Sequence, residues 1–337
     1  MITQAKIAED LGLSVMTVYR CLSGNGSMSP KTRRKVNDYI KKHNYHPNLM
    51  ARSLKLKKSN IIGLLVPSFT YSFYPEIIES IQETLKNCDY NLLLCLSSES
   101  PESERNELEM LMTIPVDGIL MSPVNSDKSI GNCQFLQEKE IPFVLFDRFF
   151  ADSAIDCSYV ATDSFSASKQ LVDYLADCGH RMIAHIGGSM ENSFSRLMFE
   201  GYRAGLKANG LSFYEELVFR GSMEEATGIA GIKKLRGSNL KFTAVHTAND
   251  PIAIGVLNTC IELGIKIPQQ LSVTGFSDIS IAKSLYAPLT TVKEPTAEIG
   301  RIAASELIKQ IESDEKIAPL KKLLTGTFII RKSCTKV

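Results

Sequence analysis

The chain has 337 residues, enough for two or three domains with cores of their own. Its net charge of +1 conceals an asymmetry: residues 1–60 hold twelve Lys or Arg against three Asp or Glu, a net of +9, which leaves −8 on residues 61–337. The eight cysteines form no CxxC pair and do not cluster with the five histidines, which excludes a zinc ribbon or a disulfide scaffold, and no apolar run reaches the about eighteen residues of a membrane span.

The first elements are short helices. Ile7, Ala8 and Leu11 recur at helical spacing until Gly12 breaks the pattern, and Ser14 can then cap a second helix whose inward face is Val18, Cys21 and Leu22. Two short helices joined at a glycine make a helix-turn-helix, whose second helix enters the DNA major groove. Ser29-Pro30 offers an N-cap and a first-turn proline for a third helix through Val36, Tyr39 and Ile40. After Tyr45-His46-Pro47, Asn48 can cap a single helical turn with Ala51 and Leu54 on one face, and residues 55–60 are a basic connector. A basic head on an acidic body attracts phosphates without the body clinging to them.

From Ile61 the pattern changes to buried strands alternating with amphipathic helices. Ile61–Val66 is a continuous apolar run ended by Pro67, the pattern of a strand buried on both faces. Strands follow at Asn91–Leu96, Gly118–Met121 and Phe143–Phe146, with helices through Ile77, Ile81 and Leu85 and through Leu108, Leu111 and Met112 between them. A second series opens after Tyr159–Asp163: a helix through Ala167, Leu171 and Leu175, a strand at Met182–Ile186 and a helix with Leu197, Tyr202 and Leu206. It continues with a helix near Ile229–Leu235, a strand at Thr243–His246, a helix over Asp250–Leu263 and a strand at Ser272–Phe276. Pro288–Val292 leads to a long helix through Ile299, Ala303, Leu307 and Ile311, and Thr327–Arg331 closes as a short strand. Such alternation predicts parallel βαβ units, here two α/β lobes of similar size.

The head resembles the lac-repressor (LacI/GalR) family of bacterial transcription regulators. It carries the run Leu11-Gly12-Leu13-Ser14 followed by Thr17-Val18-Tyr19-Arg20, the third-helix Thr32-Arg33 and Val36, Tyr45 with Pro47-Asn48, and Ala51-Arg52-Ser53-Leu54, in the family's order. Val116-Asp117-Gly118-Ile119, Gly179-His180-Arg181, Ala248-Asn249-Asp250, Gly275-Phe276, Pro288-Leu289-Thr290-Thr291-Val292 and Ile330-Arg331-Lys332-Ser333 extend the likeness along almost the whole chain. The resemblance implies an α/β chain with a helix-turn-helix head and hinge helix in residues 1–58 (hinge about 48–55) and a type I periplasmic-binding-protein-like body in 59–337. The first lobe is expected over 61–160 and 293–322 and the second over 161–292 and 323–337, with three passages near 159–162, 290–293 and 322–326.

The same resemblance implies a regulator, most simply a repressor of carbohydrate-utilisation genes acting as a homodimer on a pseudo-palindromic operator in double-stranded DNA. Ser14, Val15, Met16, Thr17 and Arg20 would face the major groove or its phosphate rim, with Thr3 also at the DNA and Tyr19, where relatives usually carry serine, reaching phosphate. Val15 and Met16 can only contact thymine methyls or fill groove volume, unless one of them packs inward. Asn48, Ala51, Arg52 and Leu54 would form the hinge contact, with the Leu54 pair wedged between base steps of the minor groove.

Effector candidates lie at strand ends: Phe73, Tyr74, Asp147 and Arg148 in the first lobe, and Arg196, Asn249, Asp250, Phe276 and Ser277 in the second. Aromatic faces with carboxylates, amides and guanidinium forks suit a sugar. For Phe73, core packing is an equal reading, and Asp147 and Arg148 can simply satisfy each other. Relatives commonly carry arginine where this chain has Met198 and aspartate where it has Ser277. A pocket that keeps Arg148 and Arg196 and loses a carboxylate would lean positive, so a sugar acid or sugar phosphate is the sharper expectation and a neutral mono- or disaccharide the alternative. No cofactor or metal is expected. No GxGxxG opening a helix, no GxxxxGK[ST], no Gly-x-Ser-x-Gly elbow and no HExxH is present, against an enzyme. A transport-type sugar-binding protein would carry a signal peptide and no basic head, so a cytoplasmic protein is expected.

Overall fold

The computed structural model describes residues 3–23, 28–45, 58–70, 72–124, 127–150 and 155–337. These divide into two compact units, 1–59 and 60–337.

In the first unit, helix α1 spans Gln4–Leu11, α2 Val15–Ser23 and α3 Pro30–Lys42. Each start has a chemical cause. The Thr3 hydroxyl accepts the Lys6 N–H at 3.2 Å, the Ser14 hydroxyl accepts that of Thr17 at 3.1 Å, and the Ser29 hydroxyl accepts that of Thr32 at 3.1 Å with Pro30 in the first turn. Gly12 ends α1 at φ 62°, a left-handed cap that glycine adopts without steric cost. Ile7, Ala8, Val18 and Val36 are buried together, ringed by Leu11, Leu22, Tyr39 and Ile40. Outside this small core, Tyr39 donates to Asp10, and the Lys35 ammonium caps α1 through the Leu11 carbonyl at 2.8 Å.

The second unit is built on two parallel sheets. Strands β1 (Ile61–Val66), β2 (Asn91–Leu96), β3 (Gly118–Met121), β4 (Phe143–Phe146), β5 (Ser158–Thr162) and β11 (Lys321–Leu324) form the first, in the order β2-β1-β3-β4-β5-β11. Helices α4 (Phe73–Lys86), α5 (Pro101–Thr113) and α6 (Asp127–Glu138) connect its strands, and α11 (Thr296–Glu312) packs on it from far along the chain. β1 is buried on both faces, as its unbroken apolar run predicts. Ile62, Leu64 and Val66 join Ile77 and Leu307 in one layer, while Leu65 joins Leu108 and Leu111 in the other. Gly63 leaves room for Leu111, whose Cδ1 would lie 2.9 Å from an added Cβ.

β6 (Ile183–Gly188), β7 (Val218–Gly221), β8 (Ala244–Thr247) and β9 (Ser272–Thr274) form the second sheet, in the order β7-β6-β8-β9. Its helices are α7 (Ser164–Asp177), α8 (Ser193–Ala208), α9 (Glu225–Arg236) and α10 (Asp250–Glu262). The two sheets are unequal, six strands against four, where the alternation alone suggests similar lobes. The cause is the late chain: β11 pairs with β5, whereas β10 (Thr291–Lys293) and β12 (Thr327–Ile329) pair antiparallel with each other as a two-stranded ribbon.

The chain leaves the first sheet after Thr162, and Asp163 caps α7 by accepting the Ser166 N–H at 3.0 Å. It returns after β10 into α11, leaves again after Leu324, and ends on the second lobe, where Val273 donates its N–H to the Ser333 carbonyl at 2.9 Å. Among the described residues no helix is long and apolar enough to cross a membrane.

Candidate functional site

The C-terminal ends of the strands of both sheets converge on a cavity of about 650 Å³. Ligands of open α/β sheets bind at such strand ends, and the volume suits a small molecule. From the first lobe come Phe73 and Tyr74 at the start of α4, Glu99 after β2, and Asp147 and Arg148 after β4. The second lobe supplies Asn192 and Phe194 at the start of α8, Met223 after β7, Asn249 after β8 and Ser277 after β9. Glu294, between β10 and α11, lies on one of the passages between the lobes.

Backbone strain gathers here. Ser98, Glu99, Asp147, Ser277 and Asp278 all have positive φ, between 50° and 112°, and three of them line the cavity. A non-glycine residue in that region costs on the order of 1–3 kcal/mol and persists only where its surroundings hold it. At Asp147 and Glu99 the holding contacts are visible. Asp147 is nearly buried and accepts from Tyr74 Oη at 2.6 Å and Ser122 Oγ at 3.0 Å, with Arg148 Nε 3.7 Å away. The Arg148 guanidinium donates Nη1 and Nη2 to the two Glu99 carboxylate oxygens, both at 2.8 Å. Burial opposes the Arg148 charge, but Tyr74, Glu99 and Asp147 together raise its pKa above the ordinary guanidinium value. Burial pushes the Asp147 carboxyl up, against the lowering effect of Arg148 and the two hydroxyl donors.

Glu294 ties the two lobes. The Thr162 hydroxyl, at the end of β5, donates to its Oε2 at 2.7 Å, and the Ser277 hydroxyl donates to its Oε1 at 2.8 Å. Burial and the Asp147 charge push its pKa up to about 8, which favours the protonated acid near neutral pH. Sequence reading passes over it because Lys293-Glu294-Pro295 looks like an ordinary polar connector. Glu99 is missed for the same reason, three residues beyond β2, while Phe194 lies in the first turn of α8, where the helical pattern marks only the inward residues further along.

Phe73, Tyr74, Asp147, Arg148, Asn249 and Ser277 are at the cavity as expected; Arg196, Asp250 and Phe276 are not among its lining residues. Asp250 is fully buried and takes the Thr291 hydroxyl at 2.7 Å and the Ile279 N–H at 2.9 Å, so it holds the loop after β9, with burial pushing its pKa up to about 7. Phe276 lies beneath Phe194, their rings 5.4 Å apart, and it is Phe194 that reaches the cavity. Asn249 is partly committed: its Oδ1 caps α10 through the Ile252 N–H at 2.9 Å, and its amide donates to the Met223 carbonyl at 2.9 Å.

The cavity does not have the two-arginine lining from which the sequence suggests a positive pocket, so the sugar acid or sugar phosphate drawn from that lining loses its premise. With Arg196 outside, Arg148 is the single cation among the described lining residues. Glu99, Asp147, Glu191, Glu224 and Glu225 line the cavity beside Glu294, whose pKa is raised, and the two Glu99 oxygens pair with the Arg148 guanidinium.

In the first unit, α2 turns Val18 into the core and leaves Val15 and Met16 outward, 49% and 48% exposed, so neither of that pair packs inward. Ser14 and Arg20 are exposed, Thr17 and Tyr19 half-buried. The hydroxyls of Ser14 and Thr17 lie 2.8 Å apart in mutual contact, and Thr3 is spent partly on capping α1. The residues Asn48, Ala51, Arg52 and Leu54 lie outside the described residues.

A family model described as "Bacterial regulatory proteins, lacI family" matches residues 5–48, and one described as a periplasmic binding protein-like domain matches 172–334. The HTH-type transcriptional regulator RegA of Clostridium saccharobutylicum is 32% identical over 93% of each chain. The ribose operon repressor of Escherichia coli (strain K12) is 31% identical over 92% of this chain and 93% of its own. Among solved structures, a transcriptional regulator CelR–cellobiose complex aligns at a TM-score of 0.76 and 26% identity over 99% of this chain and 100% of that one. The lac repressor dimer bound to operator and the anti-inducer ONPF aligns at 0.87 over 99% of each chain; at 22% identity that likeness is one of fold.

Proposed function

The chain belongs to the lacI family of bacterial regulatory proteins, and from that premise we propose that it is a homodimeric repressor of carbohydrate-utilisation genes whose effector is a small uncharged sugar. It is a DNA-binding, effector-controlled transcription regulator and not an enzyme. The observation that carries the effector reading is the polarity of the cavity: six acidic residues and one guanidinium line it, and that guanidinium is already paired. Such a lining offers many acceptors to sugar hydroxyls and the rings of Phe73 and Phe194 for a sugar face. It repels phosphates and carboxylates. Relatives named as a ribose operon repressor and as a regulator in complex with cellobiose fit this choice.

On the DNA side, Val15 and Met16 fill the major groove, Ser14, Thr17, Tyr19 and Arg20 serve bases or phosphates, and Thr3 lies at the backbone. Asn48, Ala51, Arg52 and Leu54 form the hinge contact of a head ending at residue 58. The body, 59–337, comprises a first lobe over 61–160 and 293–322 and a second over 161–292 and 323–337. The edge strand β2 exposes Leu94 and the neighbouring α5 exposes Met110, apolar surface of the kind a partner subunit covers. The site of action is the cytoplasm, where the operator is. Sequencing the genomic DNA bound by the protein, followed by calorimetry with neutral sugars, tests the reading. An absence of any shared palindromic motif, or tight binding of sugar acids in place of neutral sugars, contradicts it.

A further inference from the structure

The cavity holds a cation that it does not offer to ligands. We propose that Glu99 is the residue that sets effector charge: it occupies the anion-binding fork of Arg148 from within the protein and so excludes acidic and phosphorylated ligands. The inference rests on reading the cavity as the effector site.

The geometry is that of a filled anion site. A guanidinium presents two parallel N–H donors matched to a carboxylate or phosphate, and in this chain both donors of Arg148 are taken by the two oxygens of Glu99 at 2.8 Å. The Arg148 side chain is 8% exposed and the Glu99 side chain 45% exposed, so the cation is built into the wall and its counter-ion stands on the ligand side. The arrangement is held at a conformational cost. Ser98 and Glu99 follow each other at φ 52° and 55°, which curls the loop after β2 and places the carboxylate at the fork. Asp147, 3.7 Å from Arg148 Nε, is engaged by the Tyr74 and Ser122 hydroxyls and leaves the fork to Glu99. A ligand anion must expel Glu99 before it reaches Arg148, whereas a neutral hydroxyl can accept or donate at the rim of the pair without breaking it.

Calorimetry on the full-length protein at fixed ionic strength tests this with D-glucose, D-gluconate and inorganic phosphate as probes. The wild-type chain should show no measurable affinity for gluconate or phosphate. Glu99→Gln and Glu99→Ala, either of which can stand in for the other if one folds poorly, should each gain at least about ten-fold in affinity for both anions. The double substitution Glu99→Gln with Arg148→Met should lose that gain. Equal anion affinity in the wild type and both Glu99 variants overturns the proposal. So does an equal gain from Glu224→Gln, which would show that the summed negative field, not the occupied fork, turns anions away. Failure of the wild type to bind any neutral sugar would count against the proposed function and leave the anion comparison readable.

Discussion

The reading helix of the head and the cavity of the body place their working groups in opposite ways. On α2, Val18 faces the core and Val15 and Met16 face outward, so one regular helix separates the residues that fold the head from those available to DNA. In the cavity no such separation exists. Arg148, Glu99 and Asp147 line the space and also hold one another and Tyr74. Glu294 lines it and holds Thr162 and Ser277, and the backbone is strained at Glu99, Asp147 and Ser277. The lesson is about coupling. Surface changes on α2 should alter recognition alone, while changes in the cavity wall should alter binding and stability together.

The largest expected effect breaks the head from within. Val18→Asp puts a charge into a core of four fully or nearly buried residues and should cost at least about 3 kcal/mol, enough to unfold so small a unit. Specific DNA binding should vanish while the main melting transition and sugar binding persist. Loss of both would mean that the head and the body do not fold separately.

That division also explains what the sequence shows on inspection. Caps at Ser14 and Ser29, the break at Gly12 and the periodicity of Ile7, Val18 and Val36 are local signals, and the structure follows them residue by residue. The strands of the body are equally legible because β1, β3 and β4 are unbroken apolar runs. The cavity is only half legible. Asp147 and Arg148 directly follow a clear strand, but Glu99 gains its role from a partner 49 residues away and Glu294 from one 132 residues away. Asp250 and Phe276 sit at strand ends like the others, yet their side chains turn under the surface, and strand order alone does not tell which way a side chain turns.

Next in size is Arg148→Met, which sharpens the comparison because it should harm both properties. Removing the guanidinium leaves Asp147 buried without its cation, at a cost of about 3 kcal/mol, and should abolish sugar binding. Denaturant melts paired with calorimetry check this; lost binding with unchanged stability would show that the wall is separable after all.

A smaller effect appears with pH. The pKa of Glu294 is pushed from 4.5 up to about 8 and that of Asp250 from 3.8 up to about 7, so the fold holds protons that the unfolded chain has released. Their contribution to stability is complete below the unfolded values and is lost as pH rises through about 7 to 8. Thermal melts of the ligand-free protein should therefore fall by a few degrees between pH 6 and pH 9, and Glu294→Gln should flatten that fall. A slope unaffected by Glu294→Gln would remove this residue from the account. The smallest effect is on α2: Val15→Ala and Met16→Ala should each cost about 1 kcal/mol of specific DNA binding, measured against random DNA, with no change in melting temperature.

The central claim is that occupancy of the cavity sets DNA affinity. The direct measurement is fluorescence anisotropy of the full-length protein on its operator, titrated at constant salt with each neutral sugar that calorimetry shows to bind. Such a sugar should shift operator affinity at least about ten-fold, a coupling of about 1.4 kcal/mol, and leave Arg148→Met unmoved. Operator affinity that stays constant while the cavity fills would contradict it.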